Sequence, residues 1–365
     1  MPGVKELRQM RLKAETSPGS QSSPRFLWRG PVEGIDDQRE VTIAEENVGI
    51  FGGTDRSYTA KLMAELPIPE TEATYEQLPD LFMMCGFGTS GGGNRAGSAQ
   101  GASGSTVVFT LPIPASTTPI TYSCTAEVGD DNPTGANHNA EVVTYALCKE
   151  LTLTFEGGAA MKVEATLFGR SGTPTNAMGS YSVAGLGTLV TVEEILSGNG
   201  TVYLSPTTSV FSSNKVTPGN ILAGNIKFTP AWTPKFSVDA GRLDFATAVF
   251  TGCEIEGELT IEHQISGTFG ASGSLGQVEK WRQEQTQLMR IDVPGGAIAE
   301  GTTFLNKLLR LDLPIKFDKV APLDDQDGND IRVFSFHSRY NEGTAAAGRG
   351  TITIARLGTS EISGA

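Results

Sequence analysis

Residues 151–167 read Leu-Thr-Leu-Thr-Phe-Glu-Gly-Gly-Ala-Ala-Met-Lys-Val-Glu-Ala-Thr-Leu. Leu151, Leu153 and Phe155 alternate with threonines, and Met161, Val163, Ala165 and Leu167 alternate with Lys162, Glu164 and Thr166. A period of two is the pattern of a strand with one buried face. Between the two runs, Gly157 and Gly158 supply the positive φ that a tight hairpin turn needs. The stretch therefore predicts a β-hairpin running from Glu141 to Phe155 and from Ala160 to Phe168.

The same alternation recurs on both sides. Toward the N-terminus, strands are expected at Arg39–Ala44, Tyr58–Leu66, Thr106–Leu111 and Ile120–Val128. Toward the C-terminus they are expected at Asn225–Thr229, Phe245–Phe250, Cys253–His263, Leu288–Val293, Leu308–Phe317, Ile331–His337 and Gly350–Leu357. Two stretches have helical spacing instead. Thr74 and Gln77 make a capping box before Leu78, Leu81 and Phe82, with Pro79 pressing the helix start toward itself. Ser274 stands as N-cap to Leu275, Val278 and Trp281. Each half thus runs strands, one short helix and a closing hairpin. That order points to two tandem copies of one β-unit, although one large β-sandwich produces it too. The expected division is an extended arm over 1–25, a first β-domain over 26–170, a linker over 171–182 and a second β-domain over 183–365. The Gly/Ser stretch 88–105 reads as a flexible loop.

Composition excludes several classes. With 38% hydrophobic and 19% charged residues, the chain is not of the disordered kind. The 44 glycines and 19 prolines fit short strands joined by many turns. No apolar run reaches the length of a membrane span, and the first residues lack the apolar core of a secretory signal, so a cytoplasmic site of synthesis is expected. Residues 1–30 hold six basic and two acidic side chains, net +4; since the whole chain is −13, the remainder carries −17. An acidic body opposes tight binding to a phosphate backbone.

No constellation of catalytic residues is apparent, and no catalytic, cofactor-binding or metal-binding residue is assigned. Neither a G-x-S-x-G elbow nor an H-E-x-x-H pair occurs. His263 adjoins Glu262, but neighbours on a strand point to opposite faces. Asp324–Asp330 has the oxygen spacing of part of a calcium loop; at position twelve of a loop starting on Asp325, however, stands Phe336 rather than a bidentate Glu, and a solvated turn is the expectation. Cys85, Cys124, Cys148 and Cys253 form no C-x-x-C and lie near no histidine, so buried, unreactive thiols are expected. The chain is read as structural, not as an enzyme.

Taken in order, several segments resemble the tail tube (major tail) proteins of long-tailed bacteriophages. They are Tyr58–Leu66, then Tyr75-Glu-Gln-Leu-Pro-Asp-Leu-Phe-Met-Met-Cys-Gly-Phe-Gly, then the hairpin from Leu151 to Arg170. In the second half they are Cys253–His263, the helix around Trp281, Leu288-Met-Arg-Ile and the hairpin beyond it. The likeness spans roughly residues 38–357, with the basic arm and the Gly/Ser stretch as departures. It implies a tail-tube-type β-barrel or sandwich with a short flanking helix. Such subunits stack as rings into a hollow tube in the virion, assembled in the host cytoplasm, through which DNA passes on ejection without specific binding. Two tandem units imply three chains per pseudo-sixfold ring, and a single unit implies six. Tape measure, tail terminator and tip proteins are implied as partners. The arm and the Gly/Ser stretch are expected to bridge successive rings. A β-rich adhesin, or another virion structural protein, is the alternative reading.

Overall fold

A computed structural model describes residues 8–15, 17–20, 26–45, 56–89, 98–100, 104–111, 124–130, 140–170, 172–175, 192–205, 221–238, 241–263, 274–298, 305–326, 328–339 and 350–357. The class is mainly β, as the alternation predicts: strand makes up 67% of these residues. The first half contains β1 (Arg8–Ala14), β2 (Phe26–Leu27), β3 (Asp36–Ile43), β4 (Ser57–Glu72) and helix α1 (Leu78–Met84). It continues with β5 (Gly88–Thr89), β6 (Ser98–Gln100), β7 (Gly104–Thr110), β8 (Cys124–Asp130), β9 (Ala140–Glu156), β10 (Lys162–Gly169) and β11 (Thr173–Thr175). The second half contains β12 (Thr201–Ser205), β13 (Ile221–Lys235), β14 (Thr247–Glu262) and helix α2 (Ser274–Arg282). It ends with β15 (Gln287–Ala297), β16 (Asn306–Val320), β17 (Asp324–Gln326), β18 (Asn329–Ser338) and β19 (Thr351–Leu357).

The hairpin at 151–167 forms as its alternation predicts. Lys162 pairs with Thr154, Val163 with Leu153 and Ala165 with Leu151, so the apolar residues share the buried face. Helix α1 starts at Leu78, which places Pro79 in the first turn, where its missing N–H costs nothing. The capping contact survives in the turn just before it, where the Gln77 N–H donates to Thr74 Oγ1 at 3.3 Å. Gly86, at φ 78°, ends the helix in the left-handed conformation that a C-terminal cap requires.

The strands pair side by side in the same sequence twice. In the first half β3 pairs β4, β4 pairs β10, β10 pairs β9, and β9 also takes β8 and β11. In the second half β13 pairs β14, β14 pairs β18, β18 pairs β16, and β16 also takes β15 and β19. Before each set stands one further strand: β1 lies along β8, and β12 along β15. The β3–β4 hairpin slips register between Glu40 and Val41, and the β13–β14 hairpin slips twice, between Ile221 and Ala223 and between Pro230 and Trp232. The two rows then join, since β9 pairs β13 and β7 pairs β19. All of these pairings are antiparallel, and among the described residues the ladder does not close on itself.

Three expectations are corrected. Residues 8–14 of the expected arm are a strand within the body, with Met10 and Leu12 in the core; their alternate apolar residues find a face once β8 lies beside them. The Gly/Ser stretch contributes β5, β6 and the start of β7, because its small residues leave the backbone free to pair; residues 90–97 and 101–103 lie outside the described residues. The strands expected at Phe245–Phe250 and Cys253–His263 are one strand, β14, kept continuous by its long partner β13. Of the expected linker, Thr173–Thr175 form β11, and 176–182 lie outside the described residues. One apolar core spans both halves: α1 is wholly buried, and Phe82 meets Phe109 at 5.8 Å and Phe228 at 5.3 Å between ring centroids.

Candidate functional site

The residues that join one half to the other are the features with most functional content. Where β9 meets β13, Leu151, Leu153 and Phe155 stand opposite Phe228, Ile226 and Gly224 on the core side. Gly224 has no side chain because the Phe155 ring occupies that place; a Cβ there would lie 2.5 Å from it. On the open side Lys227 reaches Glu150 at 3.0 Å. Beyond this joint the far end of the β13–β14 hairpin overhangs the first half. Trp232, Phe245 and Ala248 pack there with Tyr145, Leu147 and Phe168.

Arg170 closes that contact. Its Nε donates to Phe245 O at 3.1 Å, its Nη2 to Ala246 O at 2.8 Å and its Nη1 to Gly19 O at 3.3 Å. The guanidinium lies over the Tyr145 ring at 5.1 Å, a cation–π arrangement. Burial is the chief influence on its pKa and lowers it. The local backbone accounts for the position. At Tyr145 β9 bends through φ 57°, and the Tyr145 N–H donates to buried Glu15 Oε1 at 2.8 Å. Glu15 Oε2 accepts the Gly19 N–H at 2.6 Å, so β1, the bend and Arg170 form one connected unit.

A second joint is ionic. Lys307 Nζ, on β16, donates to Glu76 Oε1 at 2.6 Å and approaches Glu193 Oε2 at 2.9 Å. Glu76 Oε2 accepts the Glu193 N–H at 2.9 Å, and Arg356 Nη1 donates to Glu76 O at 2.6 Å. Burial, the largest single influence on Lys307, pulls its pKa down, but the two carboxylates outweigh it and hold the ammonium above its ordinary value. On Glu193 burial acts upward and is likewise outweighed, by Lys307 and by the Gly296 N–H, leaving the carboxylate below its ordinary value. Beside them Tyr75 donates to Val293 O at 3.1 Å, and burial first, then the two glutamates, push its pKa up. Together these contacts tie the residues just before α1 and the segment at Glu193 to β15, β16 and β19, which is a structural role.

The two ends of the row differ from its middle. Val41, Ile43 and Tyr58, at the far end of the β3–β4 ribbon, are 55%, 71% and 57% exposed. Among the described residues β3 pairs only with β4, and β16 from Lys316 to Val320 pairs only with β18. An exposed strand edge with apolar side chains is a template for pairing with another chain. The open face of β14 is acidic: Glu254, Glu256 and Glu258 alternate with inward Ile255 and Leu259.

The sequence candidates fall elsewhere. Cys85 and Cys148 are buried side by side; burial and then the neighbouring thiol push the Cys85 pKa well up. Burial also pushes Cys253 up to about 12, so both Cys85 and Cys253 stay protonated at neutral pH. No spacing in the sequence places these three together, and the side chain of Cys124 is not among those described. The backbone N–H of His263 donates to Asp330 O at 2.7 Å; His337 pairs with Asp318, and His138 lies outside the described residues. Asp324–Asp330 forms the β17–β18 turn, with Asp325 opposite Asp330 and the Gly328 N–H donating to Asp325 Oδ1 at 3.0 Å. Among the described residues no group of three His, Cys, Asp or Glu could hold a metal ion, and no helix is long and apolar enough to cross a membrane. Arg170, Lys307 and Glu76 carry no sequence signature; only the repeat of strand order hinted that the halves must meet.

No family model and no curated protein matches this chain.

Proposed function

We propose that the chain is a structural subunit that assembles into stacked rings forming the hollow tail tube of a bacteriophage. The carrying observation is the repeated strand order, joined β9 to β13, with an exposed ribbon at one end of the row and a partly paired strand at the other. A head-to-tail row of like units closes into a ring when its rotation permits. On this reading the chain is two tandem tail-tube-type units, 26–170 and 183–365, and β1 belongs to the first of them as β12 does to the second. Three chains then make a pseudo-sixfold ring, and the barrel closes between copies rather than within one. The open acidic face of β14 suits a lumen through which DNA slides without binding. Function is mechanical and not enzymatic, the setting is the virion after assembly in the host cytoplasm, and tape measure, terminator and tip proteins are the other tail partners.

Negative-stain microscopy of the purified chain tests the reading. Stacked rings or hollow tubes are expected, while discrete particles under all conditions overturn it. Sixfold features built from three chains per ring are expected in cross-section; six chains per ring overturns the tandem arrangement.

A further inference from the structure

The inner joint of the chain describes an outer one, and the correspondence is set by hydrogen bonding rather than by sequence identity. Gly169 pairs with Ala64 and Ala64 with Asp37; likewise Ser338 pairs with Ile255 and Ile255 with Phe228. Counting along from these anchors, Val41 occupies the position of Trp232, and each lies just past a register slip, Val41 past the one after Glu40 and Trp232 past the second of the two in its hairpin. Arg339 occupies the position of Arg170. Each arginine follows the last residue of its return strand, and each donates its backbone N–H to the neighbouring strand, Arg170 to Thr144 O at 2.9 Å and Arg339 to Pro314 O at 3.3 Å. The pair Phe168–Leu147 corresponds to His337–Lys316.

Inside the chain Trp232 is packed, and Arg170 grips the carbonyls at the base of its ribbon. At the ends of the chain Val41 is exposed, and so is Arg339. We infer that the β3–β4 ribbon of one copy docks on the β16–β18 face of the next, with Arg339 in the role that Arg170 plays within the chain. This rests on the ring reading above, and the partner is a second copy of this chain.

The chemistry of the two joints differs. The inner receiving face is apolar, built from Tyr145, Leu147 and Phe168. The outer one carries Lys316, Lys319, His337 and Arg339, against Asp318 paired to His337 and Glu284 at 3.2 Å from Lys316. The incoming ribbon carries Asp36, Asp37 and Glu40 on β3, with Glu45 just beyond it; against them stand Arg39, which pairs with Asp37 at 2.6 Å, Lys61 on β4 and exposed Arg56 just before β4. Opposite charges thus surround the apolar Val41 and Ile43. Contacts between copies are therefore weakened by salt, while the joint within a copy is not.

The test uses the full chain in size-exclusion chromatography with light scattering, at low and high salt. Wild type is expected to assemble, less so at high salt. Arg339→Glu and Ile43→Asp, both at exposed positions, are each expected to be monomeric with an unchanged melting temperature, association falling roughly tenfold or more. An equimolar mixture of the two is expected to give a one-to-one dimer that grows no further, since each variant retains one intact surface. Assembly of either variant as in wild type overturns the docking assignment and leaves the ring reading standing. A wild type that stays monomeric under all conditions overturns both.

Discussion

Lys307 Nζ lies 2.6 Å from Glu76 Oε1, buried, across 231 positions of sequence, and ties the start of α1 to β16. A paired charge of this kind is costly to break from one side, because the partner is left buried and uncompensated. Lys307→Met is therefore expected to cost about 3–5 kcal/mol in urea unfolding. The double variant Lys307→Met/Glu76→Gln is expected to lose less than the two single losses added together. Strict additivity would mean that the pair does not act as a unit.

The same cluster sets a pH window. The Glu193 pKa lies below its ordinary 4.5, so its stabilisation is complete above that value and is lost as pH falls through the depressed one. Lys307 lies above its ordinary 10.5, so its stabilisation is complete below that value and is lost as pH rises through the raised one. Urea midpoints are expected to be flat between the two limits as far as this site contributes. Glu193→Gln is expected to shallow the acid limb, and an unaltered acid limb counts against the assignment.

Gly86→Ala tests the meeting of α1 with the overhanging hairpin. Gly86 has φ 78°, and a Cβ would lie 2.5 Å from the Trp232 ring, so strain and displacement act together. The expected loss exceeds about 1 kcal/mol, visible in the thermal midpoint. Increased quenching of tryptophan fluorescence by acrylamide is expected to accompany it.

Arg170→Ala removes a charged donor from three backbone carbonyls that stay in place. Leaving them unpaired is expected to cost about 2–3 kcal/mol. Limited proteolysis is expected to cut the 236–246 segment first, since Arg170 holds Phe245 and Ala246. Cleavage at an unchanged rate there would argue against the clamp.

Deleting residues 1–7 is expected to leave monomer stability unchanged, whereas deleting 1–14 removes β1 and with it Met10 and Leu12 from the core. The longer deletion is expected to lower the melting temperature by several degrees or to prevent folding. Equal midpoints for the two truncations would show that β1 contributes nothing to the body.

Local chemistry explains which of these features were legible. The alternation at 151–167 specified its hairpin because a period of two, a diglycine turn and one buried face agree there. Pro79 marked the start of α1, since it fits only a first turn, whereas the end at Gly86, with its φ of 78°, came from the structure. The arm was misread because Arg8, Arg11 and Lys13 dominate a short segment whose alternate Met10 and Leu12 gain meaning only beside β8.

By itself, the sequence determined the β class, the places of both helices, the repeated order of elements and the lack of a recognisable catalytic motif. These depend on periodicity, caps and turns, which act over a few residues. The tertiary structure alone decided that β9 meets β13, that Arg170 grips Phe245 and Ala246, and that Lys307 finds Glu76. Those contacts depend on sheet order and on a bend at Tyr145, which no short-range pattern encodes. The hairpin at 151–167 illustrates the division: its alternation specified the strands, and only the sheet showed that its first strand is the one on which the two halves join.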